Sequence, residues 1–342
     1  MDIENQSIPA RILLYSTAAV ILTIGMREIA SILTVFFFSV FIALILTPLV
    51  RWLKKKGIPG VLSVFLVILL FAFIVLILGL IVASAAIQFG SQIPLYQNQL
   101  IEFMSNLAKY IPSYDGFSVQ SIIRGIVSIT VSFVVNIVNG LVNTGTTVGI
   151  IILTTAFMLI EAANVPNKIN EKIEKQSELQ LRLSIFGRKL VKFIVIRAEI
   201  NLITAVAITI TFLIGGIDYA ILWGVFIFIL SYIPYIGLVV ASIPPIVIAL
   251  FKYGPLGALA VIVVITAVDG ITENVLFPSL MGKGLQLSPA FLFLALIYWN
   301  FVLGGAGALL SIPLTMALKI MLESFDETKW MARLMDPPGD IE

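Results

Sequence analysis

The sequence predicts an all-α membrane protein with about eight transmembrane helices, whose C-terminal half contains broken or re-entrant helices. Composition points to this class, because 60% of the 342 residues are hydrophobic, only 12% are charged, and the mean hydropathy is +1.10. A soluble domain is about 45–50% apolar and about 25% charged. Apolar runs of about 17–25 residues also recur along the chain, as expected of membrane helices. Water-soluble folding is therefore excluded.

Two residue types that are absent from the sequence exclude several classes of function. The chain contains no histidine and no cysteine, which removes Ser-His-Asp and Cys-His catalysis and Cys/His zinc sites. The net charge of +2 includes no basic domain that could bind nucleic acid. Movement of a solute needs no reacting side chain. The composition therefore favours a transport protein over an enzyme, with no cofactor beyond a coupling ion.

The first helices follow from three apolar runs, at residues 12–26, 29–50 and 61–87. The ten residues before Arg11 lack the pattern of a removable signal peptide. Basic residues close the second run, and a Gly-Ile-Pro-Gly turn separates it from the third. These runs predict transmembrane helices 1 to 3.

The next region, residues 88–147, is more polar and predicts amphipathic helices outside the membrane. Residues 96–111 show helical spacing of apolar positions. A longer helical pattern then carries small and polar residues at steps of three and four. This stripe either packs against another helix, including one from a second copy, or lines a path for water. The stripe residues that we single out are Ser128, Ser132, Asn136 and Asn139.

Residues 148–162 predict a fourth transmembrane helix, and residues 163–199 predict basic amphipathic helices. From residue 200 onward, glycine and proline repeatedly interrupt the apolar sequence. The pieces 219–233, 238–251 and 290–302 are too short to cross about 30 Å of hydrocarbon comfortably. The predicted segments, in order, are 1–87, 88–147, 148–162, 163–199, 200–322 and a tail at 323–342.

The distribution of lysine and arginine predicts the orientation in a cell membrane. The basic loop after the second helix and the basic segment 163–199 are assigned to the cytoplasm, and the poorly charged 88–147 region lies on the opposite side. An even number of crossings then places both termini in the cytoplasm.

Asp269, Glu273 and Asn274 are the candidate ion-coupling residues. The two acids are four positions apart, so they share a helix face and repel each other. Intramembrane charges are costly and usually face a cavity or a partner. One interpretation is a cation or proton site, with Na⁺ or H⁺ as the coupling ion. The alternative is that Glu273 lies near the inner interface and pairs with Arg197 or Lys283. Pro278 is expected to end this helix.

Other residues are candidates for the path of the solute. Four polar groups in apolar runs could contact a small hydroxylated solute, namely Asn201, Tyr232, Tyr235 and Asn300. The glycines near residue 305 permit either a hairpin tip or tight helix packing. Arg197 and Glu199 are interpreted as anchors at the mouth of a helix. The path candidates are Tyr232, Pro234, Gly237, Asn300, Gly304, Gly305, Gly307 and Pro313.

The second half carries four motifs in a fixed order: Ser231-Tyr-Ile-Pro-Tyr-Ile-Gly237, Glu273-Asn274, Pro278-Ser-Leu-Met-Gly282 and Gly304-Gly-Ala-Gly-Ala-Leu-Leu-Ser-Ile-Pro-Leu314. In this order they resemble the autoinducer-2 exporter family of bacterial and archaeal membrane proteins. Ser288 is a departure, because members often carry histidine before the proline. The resemblance implies a multi-pass permease that forms homo-oligomers and exports autoinducer-2, or performs sodium- or proton-coupled antiport.

The leading interpretation is a secondary transporter that exports a small polar solute like autoinducer-2, with Na⁺ or H⁺ as an open choice of coupling ion. A Na⁺(Li⁺)/H⁺ antiporter of the same family and a passive oligomeric channel are the alternatives. The broken helices favour alternating access over a channel. An intramembrane enzyme and a scaffold fit less well, and no P-loop indicates ATP-driven pumping.

Overall fold

The computed structural model describes residues 8–108, 125, 128, 132, 145–170, 178–281, 287–326 and 328–337. Within these ranges, all regular secondary structure is helical, which confirms the all-α class. The helices are α1 Ile8–Glu28, α2 Ala30–Lys55, α3 Gly60–Ala108, α4 Gly145–Asn170, α5 Glu178–Ile214, α6 Ala220–Leu230, α7 Gly237–Ile271, α8 Phe277–Met281, α9 Pro289–Leu303, α10 Gly305–Glu323 and α11 Lys329–Arg333, with a π-helical turn Thr272–Leu276 between α7 and α8.

Six helical stretches of the described chain are long and apolar enough to span a membrane, and two apolar helices, α6 and α9, are shorter. This range agrees with the prediction of about eight helices in a polytopic protein. One stretch, Gly237–Met281, has 45 residues, which is about 68 Å of helix and more than twice the thickness of the hydrocarbon. It therefore cannot be a single straight crossing.

The N-terminal helices form a small bundle. Buried side chains of α2, α3 and α4 pack together, among them Leu46, Val67 and Leu159. Polar atoms also join α2 to α4, because the Ser39 hydroxyl donates to the Ile151 carbonyl at 3.3 Å. The helix α3 does not end near residue 87 but continues to Ala108, since the amphipathic pattern after residue 96 extends the helix.

A helical hairpin lies between α5 and the second half of α7. After α5, residues 215–219 lead into α6, which forms the first arm of the hairpin. The chain then turns at residues 231–236, and the first half of α7 forms the second arm. Near the end of this second arm, Lys252 Nζ donates to the Gly216 carbonyl and to Asp218 Oδ1, both at 2.8 Å. The open end of the hairpin, where α6 begins and where Lys252 lies in α7, is therefore beside the loop 215–219. The tip of the hairpin, residues 231–236, is at its other end.

Gly254 allows α7 to bend back a second time. Its φ of +71° and ψ of −166° are non-helical and lie in a region that glycine adopts without a steric penalty. Pro255 follows directly and lacks the N–H that a continuous helix needs at that position. The second half of α7 then runs toward the π-helical turn and α8.

The helices α9 and α10 form a second hairpin, which turns at Gly304 with φ +64° and ψ −151°. Its open end is tied to two other parts of the chain. Ser288 N–H donates to the Met335 carbonyl at 2.8 Å, and Lys189 Nζ pairs with Glu323 Oε2 at 3.2 Å. Lys192 Nζ donates to the Met281 carbonyl at 3.2 Å. The first half of α5, the end of α8 and the open end of this hairpin thus lie together at one end of the molecule, which we call the basic end because of Lys189 and Lys192.

A buried ion pair holds the C-terminal segment against the basic end of the molecule. Lys319 is 1% exposed, and its Nζ lies 2.6 Å from Asp336 Oδ1 and 4.0 Å from Glu323 Oε1. Met335 and Ala332 are buried beside it. A buried ammonium needs compensating charge, because desolvation of an unpaired ion costs several kcal/mol. The pair therefore fixes the C-terminal segment to α10.

Replacing Asp336 with asparagine is expected to lower the melting temperature of the purified protein in detergent. Loss of one partner from a buried pair costs about 3–5 kcal/mol, and we expect the lower end, since Glu323 remains near Lys319. Asp326→Asn is the matched control, because Asp326 and Lys329 form an exposed pair. Equal melting temperatures for the two variants would contradict the structural role of the buried pair.

Candidate transport site

Three buried polar residues share one face of α5 deep in its apolar part. Arg197, Asn201 and Thr204 are spaced by four and three positions, so they lie one above the other on the helix. Their relative exposures are 9%, 1% and 3%. Buried polar groups of this kind require partners on the facing elements.

Arg197 joins three elements. Its Nη1 donates to both carboxylate oxygens of Glu273, at 2.7 and 2.9 Å, and its Nη2 donates to the Ser231 carbonyl at 3.1 Å. The guanidinium also lies over the Phe277 ring, 5.6 Å from its centroid. Arg197 therefore ties α5 to the hairpin tip, to the π-helical turn and to α8.

The hairpin tip depends on a close approach of its backbone. A Cβ atom placed at Gly237 would lie 1.8 Å from the Leu230 carbonyl oxygen, so only glycine fits there. Tyr235 has a φ of +60°, which is rare for a residue with a side chain. Pro234 is buried at the tip, and the buried Tyr232 ring packs edge-on against Phe41 of α2 at 5.5 Å.

The π-helical turn Thr272–Leu276 carries the acidic side of the site. Thr204 Oγ1 donates to Thr272 Oγ1 at 2.8 Å, which gives α5 a second polar link to this turn. Asn274 is exposed, and its Nδ2 donates back to the Gly270 carbonyl at 2.9 Å. Isolated π-helical turns inside α-helices occur frequently at functional sites.

The expectation that Pro278 ends the helix is wrong, because α8 continues through it to Met281. A proline inside an α-helix clashes with the carbonyl four residues earlier and removes one hydrogen bond. Here that carbonyl belongs to Asn274, within the wider π-helical turn. The altered spacing of the turn lets the helical path continue past the proline.

Asp269 and Glu273 have different environments. Glu273 is paired with Arg197, with side-chain exposures of 33% and 11% for the two partners. Asp269 is half-buried one turn earlier, and its carboxylate has no hydrogen-bond or ion-pair partner among the residues that the structure describes. The structure thus shows the Arg197 pair that was one of our two interpretations, whereas Lys283 lies outside the described residues.

The second hairpin contains the remaining path candidates. Gly304 makes the turn, and Gly307 packs so closely that a Cβ would lie 1.9 Å from the Trp299 carbonyl oxygen. Gly305 and Asn300 are exposed, and Pro313 is buried within α10. The hairpin is held by Trp299 Nε1, which donates to Thr315 Oγ1 at 3.0 Å. These residues shape a second broken element and do not join the charged cluster.

The polar stripe before α4 is described only in part. Ser128 and Ser132 are helical and exposed, and the Ser128 hydroxyl donates to the Gly125 carbonyl at 2.9 Å. Asn136 and Asn139 lie outside the described residues. The choice between a packing face and a water-lined path stays open.

The sequence did not lead us to expect Arg197 at the centre of the site, and we did not select Thr204 as a site residue. We interpreted Arg197 as an anchor at the membrane surface because it directly precedes an apolar run. The signal that could have found the site is the spacing of Arg197, Asn201 and Thr204 along that run, which puts three polar side chains on one face of an otherwise apolar helix.

The fold and the site together indicate which class of protein this is. A polytopic helical membrane protein with interrupted helices around a partly buried charged pair has the architecture of a membrane transporter. The family model described as AI-2E family transporter matches residues 13–327. The chain belongs to this family of transport proteins, which are not enzymes.

Curated relatives agree with this assignment. The chain is 31% identical to a "Putative transport protein" of Haemophilus influenzae over 340 residues, covering 97% of each chain. It is 30% identical to AI-2 transport protein TqsA of Escherichia coli K12 over 306 residues, covering 89% of each chain. A third relative, "Putative transport protein YhhT" of the same organism, is 28% identical over 333 residues, covering 95% of this chain and 94% of YhhT. The family resemblance seen in the sequence is therefore confirmed.

Proposed function

We propose that this protein is a secondary transporter that exports a small polar solute across the inner membrane, with AI-2 as the first substrate to test. The partly buried Arg197–Glu273 pair carries this proposal. It lies where an interrupted helix, a hairpin tip and α5 meet. Transporters place substrate and ion sites at such interruptions near the middle of the membrane.

The hairpin geometry supports a re-entrant arrangement. The helix α6 has 11 residues, or about 17 Å of length, which is roughly half the hydrocarbon thickness. Its tip therefore lies within the membrane if its open end is at one surface. The second hairpin opens toward the opposite, basic end, which we assign to the cytoplasm by its lysines. Two broken elements that enter from opposite sides fit alternating access, and assembly into a homo-oligomer belongs to the same proposal.

The partnerless carboxylate of Asp269 favours a cation as the coupling partner. A half-buried acid without an ion-pair partner of its own gains from a bound proton or Na⁺. This observation also keeps Na⁺(Li⁺)/H⁺ antiport as a second candidate function. In that case ions would be exchanged without any solute.

The test is flux in proteoliposomes that contain the purified protein. AI-2 movement is measured with a Na⁺ gradient or a proton gradient imposed separately. Accumulation of AI-2 against its concentration gradient would establish coupled transport, whereas movement only down the gradient would favour the channel. Na⁺-dependent proton movement without AI-2 flux would favour the antiporter.

Asp269→Asn is expected to abolish the dependence of transport on the imposed ion gradient while leaving downhill movement of AI-2. The amide has the size of the carboxylate but cannot compensate a cation. Glu199→Gln is the control, because Glu199 is exposed on α5 two positions from Arg197. Unchanged ion dependence in Asp269→Asn would remove this residue from the coupling mechanism.

A further inference from the structure

A partly open cavity of about 280 Å³ lies at the basic end of the molecule. Two stretches that are long and apolar enough to span a membrane, Ile185–Ile214 and Gly305–Glu323, have one end there. Lys189 of the first stretch and Glu323 of the second pair at 3.2 Å in the wall of the cavity. The cavity is therefore at the depth of the lipid headgroups. Its lining residues are Lys189, Glu323, Lys329, Ala332, Arg333 and Asp336.

One face of the C-terminal segment forms most of this lining. Steps of three, one and three positions separate its four lining residues, which is the spacing of a single helix face. Ala332 is buried on this face, so the segment is packed against the molecule. Lys329 and Arg333 are exposed beside it, and Lys329 pairs with Asp326. The cationic ends of these side chains thus reach the cavity from a backbone that is held in place.

The charges of the lining favour an anion as the occupant. Both acids already face a buried cation, because Lys319 Nζ lies 2.6 Å from Asp336 Oδ1 and 4.0 Å from Glu323 Oε1. The Arg333 guanidinium has no hydrogen-bond or ion-pair partner among the residues that the structure describes. Its planar N–H groups match the oxygens of a phosphate group, which they bind in pairs. Arg333 therefore supplies an unused anion-binding group beside two lysines.

Apolar side chains next to the cavity indicate that the anion belongs to a lipid. Trp330 and Leu334 are four positions apart, on the helix face adjacent to the lining, and are 61% and 68% exposed. Tryptophan is enriched at the membrane surface, where its ring lies at the level of the headgroups. Exposed apolar side chains beside basic ones are typical of segments that bind anionic lipid. A free anion would leave these apolar side chains uncovered.

We propose that this cavity binds the headgroup of an anionic phospholipid. The lipid phosphate accepts hydrogen bonds from the Arg333 guanidinium and from Lys329, and the acyl chains lie against Trp330 and Leu334. The bound lipid connects α5, the end of α10 and the C-terminal segment. Because the lipid binds the folded arrangement of these elements, it stabilises the folded protein.

The experiment uses the full-length protein in a neutral detergent. Dioleoylphosphatidylglycerol is the anionic probe, and dioleoylphosphatidylcholine has the same acyl chains without a net charge. Glycerophosphate supplies the phosphate without acyl chains. Native mass spectrometry counts the bound lipid and gives its half-saturating concentration, and thermal unfolding gives the rise in melting temperature.

The variants Arg333→Gln and Trp330→Ala remove the two kinds of contact. Lys56→Gln and Trp52→Ala are the matched controls. Lys56 and Trp52 are exposed at the end of α2, with Nζ of Lys56 at 5.7 Å from the Trp52 ring centroid, but they do not line the cavity. A general attraction between basic side chains and anionic lipid would therefore affect both pairs of variants equally.

We expect phosphatidylglycerol to bind and to raise the melting temperature more than phosphatidylcholine does, and glycerophosphate to have no effect. In Arg333→Gln the half-saturating concentration of phosphatidylglycerol rises about fivefold, the contribution of one basic side chain near an anionic lipid. Trp330→Ala also weakens binding, whereas both controls leave it unchanged. Added salt weakens binding to the unchanged protein, because the attraction is electrostatic.

Equal binding of the two lipids would overturn the lipid site, as would an unaltered half-saturation in Arg333→Gln. An equal loss in Arg333→Gln and Lys56→Gln would replace it with general attraction to the basic surface. Stabilisation by glycerophosphate as large as that by phosphatidylglycerol would assign the cavity to a free anion instead. Without lipid, all variants should melt with the unchanged protein, since the replaced side chains are exposed. A lower value for Arg333→Gln would give Arg333 a role in packing and contradict the site.

Discussion

Replacing Glu273 with glutamine is expected to abolish solute transport and to lower the stability of the protein. The variant leaves the Arg197 guanidinium buried without its counter-charge, at a cost of about 3–5 kcal/mol for a fully buried pair. The Glu273 side chain is 33% exposed, so we expect the lower part of this range. Because Arg197 also holds the hairpin tip through Ser231, loss of the pair displaces the groups that surround the proposed transport site.

The double variant Arg197→Met/Glu273→Met separates stability from function. Replacement of a buried ion pair by apolar residues of similar size is often neutral or stabilising. We therefore expect its melting temperature to recover toward that of the unchanged protein, while transport remains absent. Recovery of both properties would show that the pair serves packing alone.

Asp218→Asn is the matched control for the charge change. Asp218 pairs with Lys252 at 2.8 Å, but the two side chains are 39% and 40% exposed. Exposed pairs contribute about 0–1 kcal/mol because water and salt screen them. Thermal unfolding in detergent and AI-2 flux should both remain close to the unchanged protein. A loss as large as that of Glu273→Gln would mean that burial is not what makes the Arg197 pair important.

Replacing Gly237 with alanine is expected to disrupt the tip of the first hairpin. The added Cβ would lie 1.8 Å from the Leu230 carbonyl oxygen and 2.6 Å from the Leu230 carbonyl carbon. Both atoms belong to the backbone, so no side-chain rotation can relieve the overlap. The turn must open, and overpacking of this kind costs about 1–3 kcal/mol or more. Ser231 would then no longer hold its position against Arg197, and transport should fall with stability.

Gly305→Ala tests whether the effect comes from the overlap or from a general need for glycine in the hairpins. A Cβ at Gly305 has no neighbouring atom within 4 Å, and Gly305 begins α10, where alanine is the better helix former by about 0.8–1.0 kcal/mol. We expect an unchanged or slightly higher melting temperature. If Gly237→Ala behaved in the same way, the close packing of the tip would be refuted.

Several features of the fold could be predicted from the sequence because they are local. Apolar runs define the helices, and Gly254-Pro255 and Gly304 mark the points where the helical path bends. Pro278 shows the limit of such reasoning. A proline usually ends a helix, but the preceding π-helical turn changes the hydrogen-bond spacing, and single-residue propensities do not encode this change.

The site could be predicted only in part. The sequence predicted that Asp269 and Glu273 lie on one helix face, because residues four positions apart in a helix point in the same direction. It left open whether Glu273 had a partner, because Arg197 is 76 positions away. The sequence also did not show that Asn201 and Tyr232 would be buried side by side. That result depends on what α5 faces after folding.

The sequence by itself determined the class of protein, the apolar helices, the interrupted second half and the family resemblance, because each depends on composition or on residues close together in the chain. The tertiary structure alone decided which charges meet. Packing of the hairpin tip and the π-helical turn against α5 encloses Arg197, so the low polarity around it makes the pairing with Glu273 necessary. The same packing leaves the half-buried Asp269 carboxylate without a hydrogen-bond or ion-pair partner among the residues that the structure describes, a result that depends on elements far apart in the chain.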